Sequence, residues 1–339
     1  MNKQIPWINT GRAVCMILVY FFHSEFCCKN NLGYSYFFSP FFLSFFFFIS
    51  GYLMLVPGQR INVKHKLRSI LSKMVWPYFV FTSLIWFPKM IRHGMDTDIS
   101  SYFTDVFGGT ASWFVAALIV AELIIILASS VIKDTRWYLL LGIVTFTSAL
   151  VINKYFPSPQ PWYYKSGMMG IFFMSIGGWY RFYQDKLEWL VKWRYCILAF
   201  AAYMAIMLFD YHTFRYTPSI GIVRYESIPL GLLENLTGIC FILLLVRLMP
   251  LWPPVNYIGK YSLPFYFLSG ACPFFAAAIF YKVATTDSYL ATFIIALIAL
   301  AIAYAATLVI NRFCPIMLNL YYRSGKKGSG VINPPKQAS

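Results

Sequence analysis

The sequence predicts an all-α, polytopic membrane protein: a bundle of about ten transmembrane helices with both termini in the cytoplasm. The composition is the first observation behind this prediction, because 59% of the 339 residues are hydrophobic and only 12% are charged. Average soluble domains carry about 25% charged residues. The second observation is the repeated occurrence of apolar runs of about 17–25 residues, the length that crosses the hydrocarbon core of a bilayer.

Each predicted span is one such apolar run, bounded by polar or basic residues. The ten spans are Trp7–Cys28, Tyr36–Val56, Met74–Met90, Ser112–Ile132, Trp137–Ile152, Ser166–Tyr183, Trp193–Phe209, Ile228–Met249, Tyr261–Tyr281 and Tyr289–Phe313. Residues 1–322 are therefore predicted to form a single integral-membrane domain. The segment 323–339 is polar and contains Gly and Pro, which predicts a disordered cytoplasmic tail.

The third observation is the placement of the basic residues, which predicts the orientation. If the N-terminus is inside, the inner segments hold twenty of the 28 Lys and Arg residues, as the positive-inside rule requires. The formal net charge of +16 then reflects short loops beside the membrane rather than a nucleic-acid-binding domain. The expected partner of this surface is the lipid bilayer, with no nucleic acid.

The first span carries two ionisable residues, Arg12 and His23, eleven positions apart. In an α-helix this separation is three turns plus about 20°, so both side chains leave the same face, roughly 16 Å apart along the axis. Ionisable groups inside a span usually face the bundle interior or a wet cavity. Two structural alternatives stay open: Arg12 as a snorkelling anchor at the inner interface, and His23 as a hydrogen-bonded structural histidine.

An arginine followed by ten residues and a histidine in the first span resembles the integral-membrane acyltransferase 3 family. Further stretches that resemble the family are residues 47–52, which end in Ser50-Gly51-Tyr52, the basic run 60–73 before Trp76-Pro77-Tyr78, and residues 112–118, 172–180 and 258–269. The resemblance implies transfer of an acyl group, often acetyl from acetyl-CoA, to a hydroxyl of a sugar or glycan. Ser269 departs from the family, because many members carry a second histidine there.

The predicted catalytic residues are His23, Arg12 and Glu122. A neutral imidazole at His23 can accept the proton of a sugar hydroxyl as it attacks a thioester. The guanidinium of Arg12 can bind a CoA phosphate through two hydrogen bonds. Glu122 lies within an apolar run, so it is either protonated or paired; it can orient His23, bind Arg12 or accept a proton, or it is a neutral carboxyl between helices.

Four further residues complete the predicted site. Arg68 and Lys73 are predicted to bind the anionic acyl-CoA together with Arg12, although topology alone can account for such basic residues. Glu25 and Glu234 are placed near the outer surface, where they either meet the acceptor or face water. The remaining histidines lie in predicted loops without carboxylate or cysteine partners at ligand spacing, so no metal site is predicted.

The predicted function is that of a multi-pass O-acyltransferase of a bacterial plasma (inner) membrane. It has no bound cofactor; acyl-CoA, in the first place acetyl-CoA, is its co-substrate, and a cell-envelope glycan or lipid-linked sugar is its acceptor. The alternative is a transporter or flippase for a lipid-linked sugar or small anion, in which the buried Arg, His and Glu form a relay or substrate site. No internal repeat is evident to favour it. A third possibility, raised by Ser269, is a non-catalytic member of the family.

Overall fold

The computed structural model describes residues 5–28, 33–92, 99–157, 160–215, 217–284 and 288–320. Within these ranges the regular structure is helical, apart from a single bridge between Ser219 and Arg224. The predicted all-α fold class is therefore confirmed for the described part of the chain. The predicted tail, residues 323–339, lies outside the described residues.

Fourteen α-helices occur in the described ranges. In chain order they are α1 (Pro6–Glu25), α2 (Ser39–Met54), α3 (Val63–Ile70), α4 (Trp76–Arg92), α5 (Ile99–Tyr102), α6 (Trp113–Ala128), α7 (Tyr138–Tyr155), α8 (Tyr164–Tyr183), α9 (Trp193–Phe214), α10 (Ile228–Leu248), α11 (Pro253–Lys260), α12 (Ser262–Leu268), α13 (Cys272–Phe280) and α14 (Tyr289–Phe313). A π-helical turn, Leu71–Val75, joins α3 to α4.

Each predicted span coincides with one α-helix or, for the ninth, with a pair of helices, but fewer than ten described helices meet the requirements for crossing a membrane. Five of the described helices are long and apolar enough by themselves: α6, α7, α9, α10 and α14. The ninth predicted span is broken, because α12 and α13 meet at an angle of 56°; counted as one span, this pair is the sixth. The predicted number of ten spans is not confirmed.

The four predicted spans that do not meet the requirements are α1, α2, α4 and α8, which are either short or carry charged residues. Helix α2 has 16 residues and α4 has 17. A helix of 16 residues rises only about 24 Å, less than the hydrocarbon thickness of about 30 Å. Helix α1 has 20 residues but includes Arg12, His23 and Glu25. The apolar runs on which the prediction was based extended past these helix ends into the connecting loops.

Helix α8 lies at the centre of one half of the bundle, where it packs against α2, α6 and α7. The contact with α2 is close enough for main chains to touch. A Cβ atom added at Gly51 would lie 1.9 Å from the carbonyl oxygen of Met174, and one at Gly177 would lie 2.0 Å from that of Phe48. Small residues permit such approaches in membrane bundles, where close packing holds helices together. Gly51 and Gly177 therefore act as packing residues between α2 and α8.

Helix α1 lies in the other half of the bundle, packed against α2, α10, α11 and α14. It starts at a proline, Pro6, which suits the first helical position because its missing N–H would have no partner there. The helix is continuous through both Arg12 and His23, as predicted. Its position brings both residues against cavities in the bundle.

Candidate active site

The first cavity, here the Arg12 cavity, has a volume of about 620 Å³ and lies between α1, α2, α3, α6 and α12. Its charged lining residues are Arg12, Lys66, Lys73, Lys260 and Glu122. Two of the predicted binding residues, Arg12 and Lys73, are thus brought together with predicted Glu122. The lining is rich in cations, so an anionic ligand would be favoured in this space.

Arg12 is half-buried on α1 and faces into this cavity. Within the described part of the chain its guanidinium forms no hydrogen bond and no ion pair, and Glu122 attracts it only through longer-range electrostatics. A guanidinium that is not held by the protein can bind a phosphate or carboxylate through two parallel hydrogen bonds. The geometry is therefore more typical of an anion-binding residue than of a helix anchor.

Glu122 is held by two other residues. Its Oε1 accepts a hydrogen bond of 2.6 Å from the hydroxyl of Ser50, and its Oε2 lies 3.0 Å from the Nζ of Lys66. Glu122 is 4% exposed, and the ion pair with Lys66 provides the partner that a buried carboxylate requires. The structure does not place Glu122 beside His23, so it does not orient the imidazole as one of the sequence-based alternatives proposed.

The basic residues that line the Arg12 cavity are not all those that were predicted to bind the donor. Lys66 and Lys73 line the Arg12 cavity, as does Ser69 between them. Arg68 lies two positions after Lys66, about 200° around the helix, and is exposed outside this lining. Lys66, which the sequence analysis did not single out, takes the place expected for Arg68. Helical periodicity counted from Lys73 would have indicated it, because the two lysines are seven positions apart.

A second space, here the basic vestibule, adjoins the Arg12 cavity and has a volume of about 790 Å³. Its basic lining residues are Arg12, Arg60, His65, Lys66, Arg181 and Lys260, and no acidic residue is among the described residues that line it. Arg12, Lys66 and Lys260 belong to both linings. Such a concentration of one sign of charge attracts polyanions.

The third space, here the His23 cavity, has a volume of about 470 Å³. Its aromatic lining residues include Phe22, Phe42, Trp113, Tyr163 and Tyr266, and its hydroxyl-bearing ones include Ser39, Thr217 and Ser219. The imidazole of His23 packs edge-on against Phe22, with ring centroids 5.6 Å apart, and forms no hydrogen bond with another described residue. It is therefore available to a hydroxyl group that enters the cavity.

The backbone beside this cavity is strained. Trp162 and Tyr163 are consecutive residues with φ of 54° and 48°, in the left-handed region that bulky side chains rarely adopt. The N–H of Trp162 donates to the carbonyl of Gly108 over 2.8 Å, and the rings of Tyr163 and Trp113 lie 5.6 Å apart. Strain of this kind clusters at functional sites. No pattern in the sequence predicts it.

The Arg12 and His23 cavities adjoin at Tyr266, which lines both. The ring of Tyr266 packs against that of Phe114 at 5.4 Å, and Phe114 lines the Arg12 cavity. Arg12 and His23 therefore do not share one cavity but line two neighbouring ones, separated by a thin aromatic partition.

A comparison with known protein families shows to which family this chain belongs. A family model described as an acyltransferase domain matches residues 5–320, nearly the whole chain. The chain belongs to the acyltransferase 3 family. No curated protein and no solved structure matches it significantly. Together with its long apolar helices, the family makes this protein a membrane acyltransferase.

The two carboxylates predicted for the acceptor side of this acyltransferase, Glu25 and Glu234, are buried within the protein. Glu25 is 1% exposed, and its two oxygens accept hydrogen bonds from the N–H groups of Tyr34 and Ser35, over 3.0 and 3.1 Å. It stabilises the connection between α1 and α2. Glu234 is fully buried within α10. The alternative that either residue faces water is wrong, and neither lines the His23 cavity.

Ser269 lies at the bend between α12 and α13 of the acyltransferase. It is 2% exposed, and its hydroxyl donates to the carbonyl of Tyr266 over 2.7 Å. The described linings of the Arg12 and His23 cavities do not include it. The position at which the sequence departs from many family members is thus used here to end a helix, close to the residue that separates the two cavities.

Proposed function

We propose that this acyltransferase moves an acyl group, in the first place acetyl, from cytoplasmic acyl-CoA to a hydroxyl of a cell-envelope glycan or lipid-linked sugar. The proposal is supported chiefly by two adjoining cavities. Both are lined in part by α1, but the residues around them differ in charge and polarity. One cavity presents Arg12 among cations, and the other presents His23 among aromatic rings. Acyl-CoA is a co-substrate, and no bound cofactor takes part.

The donor is proposed to extend through both the basic vestibule and the adjoining Arg12 cavity. The phosphates of CoA would meet the cations of the vestibule, with Arg12 at the boundary between the two spaces. The thioester would extend toward Tyr266. Volumes of about 620 and 790 Å³ lie in the range of about 300–1,000 Å³ that is typical of ligand sites.

The acceptor is proposed to occupy the His23 cavity. Its aromatic rings offer flat apolar faces for a sugar ring, and its serine and threonine hydroxyls offer hydrogen bonds. Its cationic lining residue, Arg224, is paired with Glu226, with 2.6 Å between Nε and Oε1. This pairing favours an acceptor without net negative charge in the cavity.

The transfer then proceeds directly. The hydroxyl oxygen of the acceptor attacks the thioester carbon while its proton passes to the imidazole of His23. The C–S bond breaks, and the CoA thiolate takes the proton back from the imidazolium. The proposal places the basic vestibule in the cytoplasm, because the positive-inside rule assigns the start of α1 to that side. The plasma membrane of a bacterium would supply both the donor and a glycan acceptor.

Acyl transfer by purified protein in liposomes tests the proposal. Wild type, His23→Ala and the control His212→Ala would receive radiolabelled acetyl-CoA and a glycan extract of the host, with thermal melts as a check of folding. His212 is an exposed histidine near the end of α9 and serves as a matched control. We expect a loss of about 10²–10⁴-fold for His23→Ala alone, the usual contribution of general acid–base catalysis.

The other results of this assay have distinct meanings. Transfer that is unaffected in a folded His23→Ala protein removes His23 from the mechanism and keeps the function. No transfer from any acyl-CoA contradicts the proposed function. Movement of a lipid-linked sugar across the liposome without acyl-CoA would then establish the transporter alternative.

A further inference from the structure

A small pocket, here the side pocket, lies between the loop that follows α2 and the connection from α6 to α7. Its volume of about 210 Å³ is below the range of about 300–1,000 Å³ that is typical of sites for whole ligands, so it suits one group of a larger molecule. It adjoins the basic vestibule, because Val56, Gln59, Arg60 and Ile61 line both spaces. A ligand in the vestibule can therefore extend one of its groups into the side pocket.

The charged residues that line the side pocket are both cations. Arg60 lies at the junction with the vestibule, whereas Lys133 lines the side pocket and not the vestibule. Neither side chain forms an ion pair or a hydrogen bond with any described residue. No acidic residue is among the described residues that line the pocket. Two cations that the protein leaves unneutralised favour an anionic group beside them.

Asp134, the residue next to Lys133, does not neutralise this charge. Its carboxylate accepts a hydrogen bond of 2.9 Å from the main-chain N–H of Arg136 and pairs with the guanidinium of the same residue, with 2.7 Å between Nη2 and Oδ2. The positive-inside rule explains why a lysine occurs in this connection, but it does not require that the lysine line a pocket. The position of Lys133 beside the vestibule therefore indicates a ligand.

The serine hydroxyls of the side pocket are committed to the protein. Ser129 donates to the carbonyl of Ile126 over 2.6 Å, and Ser130 donates to that of Leu127 over 2.7 Å. Their protons are not available to a sugar or a base, so recognition in this pocket depends chiefly on positive charge. A compact group of high negative charge suits the pocket better than a neutral one, and a phosphate monoester carries about −1.5 to −2 charges at pH 7.

We propose that the side pocket binds the 3′-phosphate on the ribose of acyl-CoA while the vestibule binds the pyrophosphate. This inference rests on the proposed function. CoA carries phosphate at these two separate positions, which matches two adjoining basic spaces with Arg60 at their junction. Lys133 then contacts the 3′-phosphate alone. The protein thereby selects free acyl-CoA over donors that lack this phosphate, namely acyl groups on dephospho-CoA or on the phosphopantetheine of a carrier protein.

Binding of CoA and of dephospho-CoA to the same variants tests the inference, because the two ligands differ only in the 3′-phosphate. Titration calorimetry would use the full-length protein in nanodiscs of phosphatidylcholine, a lipid without net charge, with thermal melts as a check of folding. The variants are Lys133→Ala, Arg60→Ala and the control Lys192→Ala. Lys192 is an exposed lysine outside the described linings of the cavities, so its removal makes the same change of net charge.

The two cations should respond differently to the loss of the phosphate. We expect wild type to bind CoA about tenfold more tightly than dephospho-CoA, and Lys133→Ala to bind CoA about fivefold more weakly than wild type does, because an exposed charge pair contributes up to about a factor of five. Lys133→Ala should leave the affinity for dephospho-CoA unchanged. Arg60→Ala should weaken the binding of both ligands, because Arg60 also lines the vestibule. Lys192→Ala should behave as wild type.

Three results would overturn the inference. Equal binding of CoA and dephospho-CoA by wild type would remove the 3′-phosphate from the side pocket and leave the proposed function intact. Equal weakening of both ligands by Lys133→Ala would have the same meaning, because Lys133 would then act only through the general field. Folded wild type that neither binds acetyl-CoA nor transfers its acetyl group would overturn the proposed function, and the inference with it.

The headgroup of an anionic lipid is the other source of a phosphate for this pocket. Ile132 and Lys133 also line an apolar groove beside the start of α7. Native mass spectrometry of protein from nanodiscs that contain phosphatidylglycerol separates the two sources. Retention of this lipid by wild type and its loss from Lys133→Ala, together with equal binding of CoA and dephospho-CoA, would assign the pocket to a lipid and overturn the inference.

Discussion

The Arg12 cavity and the His23 cavity adjoin at one tyrosine but differ in almost every chemical respect. The first presents three lysines and an arginine beside a single paired carboxylate, whereas the second presents aromatic rings and hydroxyls beside an arginine neutralised by Glu226. Both open along the same helix, α1, at its two ends. The difference is the one that the proposed function requires, in which an anionic donor occupies the first cavity and an acceptor without net negative charge occupies the second.

In the proposed function, this division separates binding of the anionic donor from proton transfer at His23. A polyanion is attracted over a long distance only by cations that are not neutralised. Beside a histidine, such cations would disfavour the positively charged imidazolium that forms when the ring accepts a proton. Placing His23 among aromatic rings keeps it away from those cations. The predictions below test this separation, because each substitution should affect one cavity and spare the other.

Arg12→Ala should have the largest effect on the donor side. Loss of hydrogen bonds from a guanidinium to a phosphate costs about 1.5–3 kcal/mol, so the dissociation constant of CoA should rise about 10–100-fold. Titration calorimetry with CoA measures this, while the Michaelis constant of the acceptor stays unchanged. The exposed Arg194→Ala controls for the change of net charge. An Arg12→Ala protein that binds CoA normally would contradict the assignment of the donor to this cavity.

Lys66→Ala and Arg68→Ala should differ although the residues are two positions apart. Removal of Lys66 takes a cation from the cavity and leaves Glu122 without its ion pair, so we expect CoA to bind about tenfold more weakly. Arg68 lies outside the lining, and its removal should change the dissociation constant less than about twofold. Equal effects of the two substitutions would show that only the general charge of α3 matters.

Trp113→Leu should affect the acceptor side and leave CoA binding unchanged. Contacts with an aromatic face contribute about 1 kcal/mol beyond simple burial, so the Michaelis constant of the acceptor should rise about fivefold. The exposed Trp137→Leu is the matched control, because it lies outside this cavity. A change in CoA affinity instead would indicate that the two cavities are not functionally separate.

Glu122→Gln should have the smallest effect on the reaction. The amide can still accept from Ser50, and Lys66 is 28% exposed in its side chain, so water can replace part of the lost ion pair. We expect transfer to fall less than about fivefold and CoA affinity to rise slightly, because a negative charge is removed from the Arg12 cavity. A loss of transfer above about 100-fold would restore Glu122 as a proton acceptor.

The sequence predicted the helices far better than it predicted the sites between them. Apolar runs located helices at each predicted span, and α1 is continuous through Arg12 and His23 as predicted, because hydropathy is a local signal. The break between α12 and α13 lies inside one continuous apolar run, which hydropathy alone cannot divide. The cap formed by Ser269 appears only when its hydroxyl is seen to bond the carbonyl of Tyr266.

The cavities depend on tertiary contacts and were therefore beyond the reach of the sequence. Tyr266 is one of 25 tyrosines, and the flanking sequence does not indicate that its side chain lies between two cavities. Ser112 has the residue type of an ordinary helix cap, but only the structure shows that its side chain makes no cap hydrogen bond to α6. Lys66 is the exception, because its spacing from Lys73 was available in the sequence.

The π-helical turn at Leu71–Val75 affects the rotation of α3 relative to α4. A π turn holds one residue more than an α turn, so it offsets the helix before it from the helix after it by about 100°. Deletion of a single residue from this turn would restore α-helical continuity and rotate α3 relative to α4. The extra residue of the π turn therefore affects which side of α3 faces the Arg12 cavity.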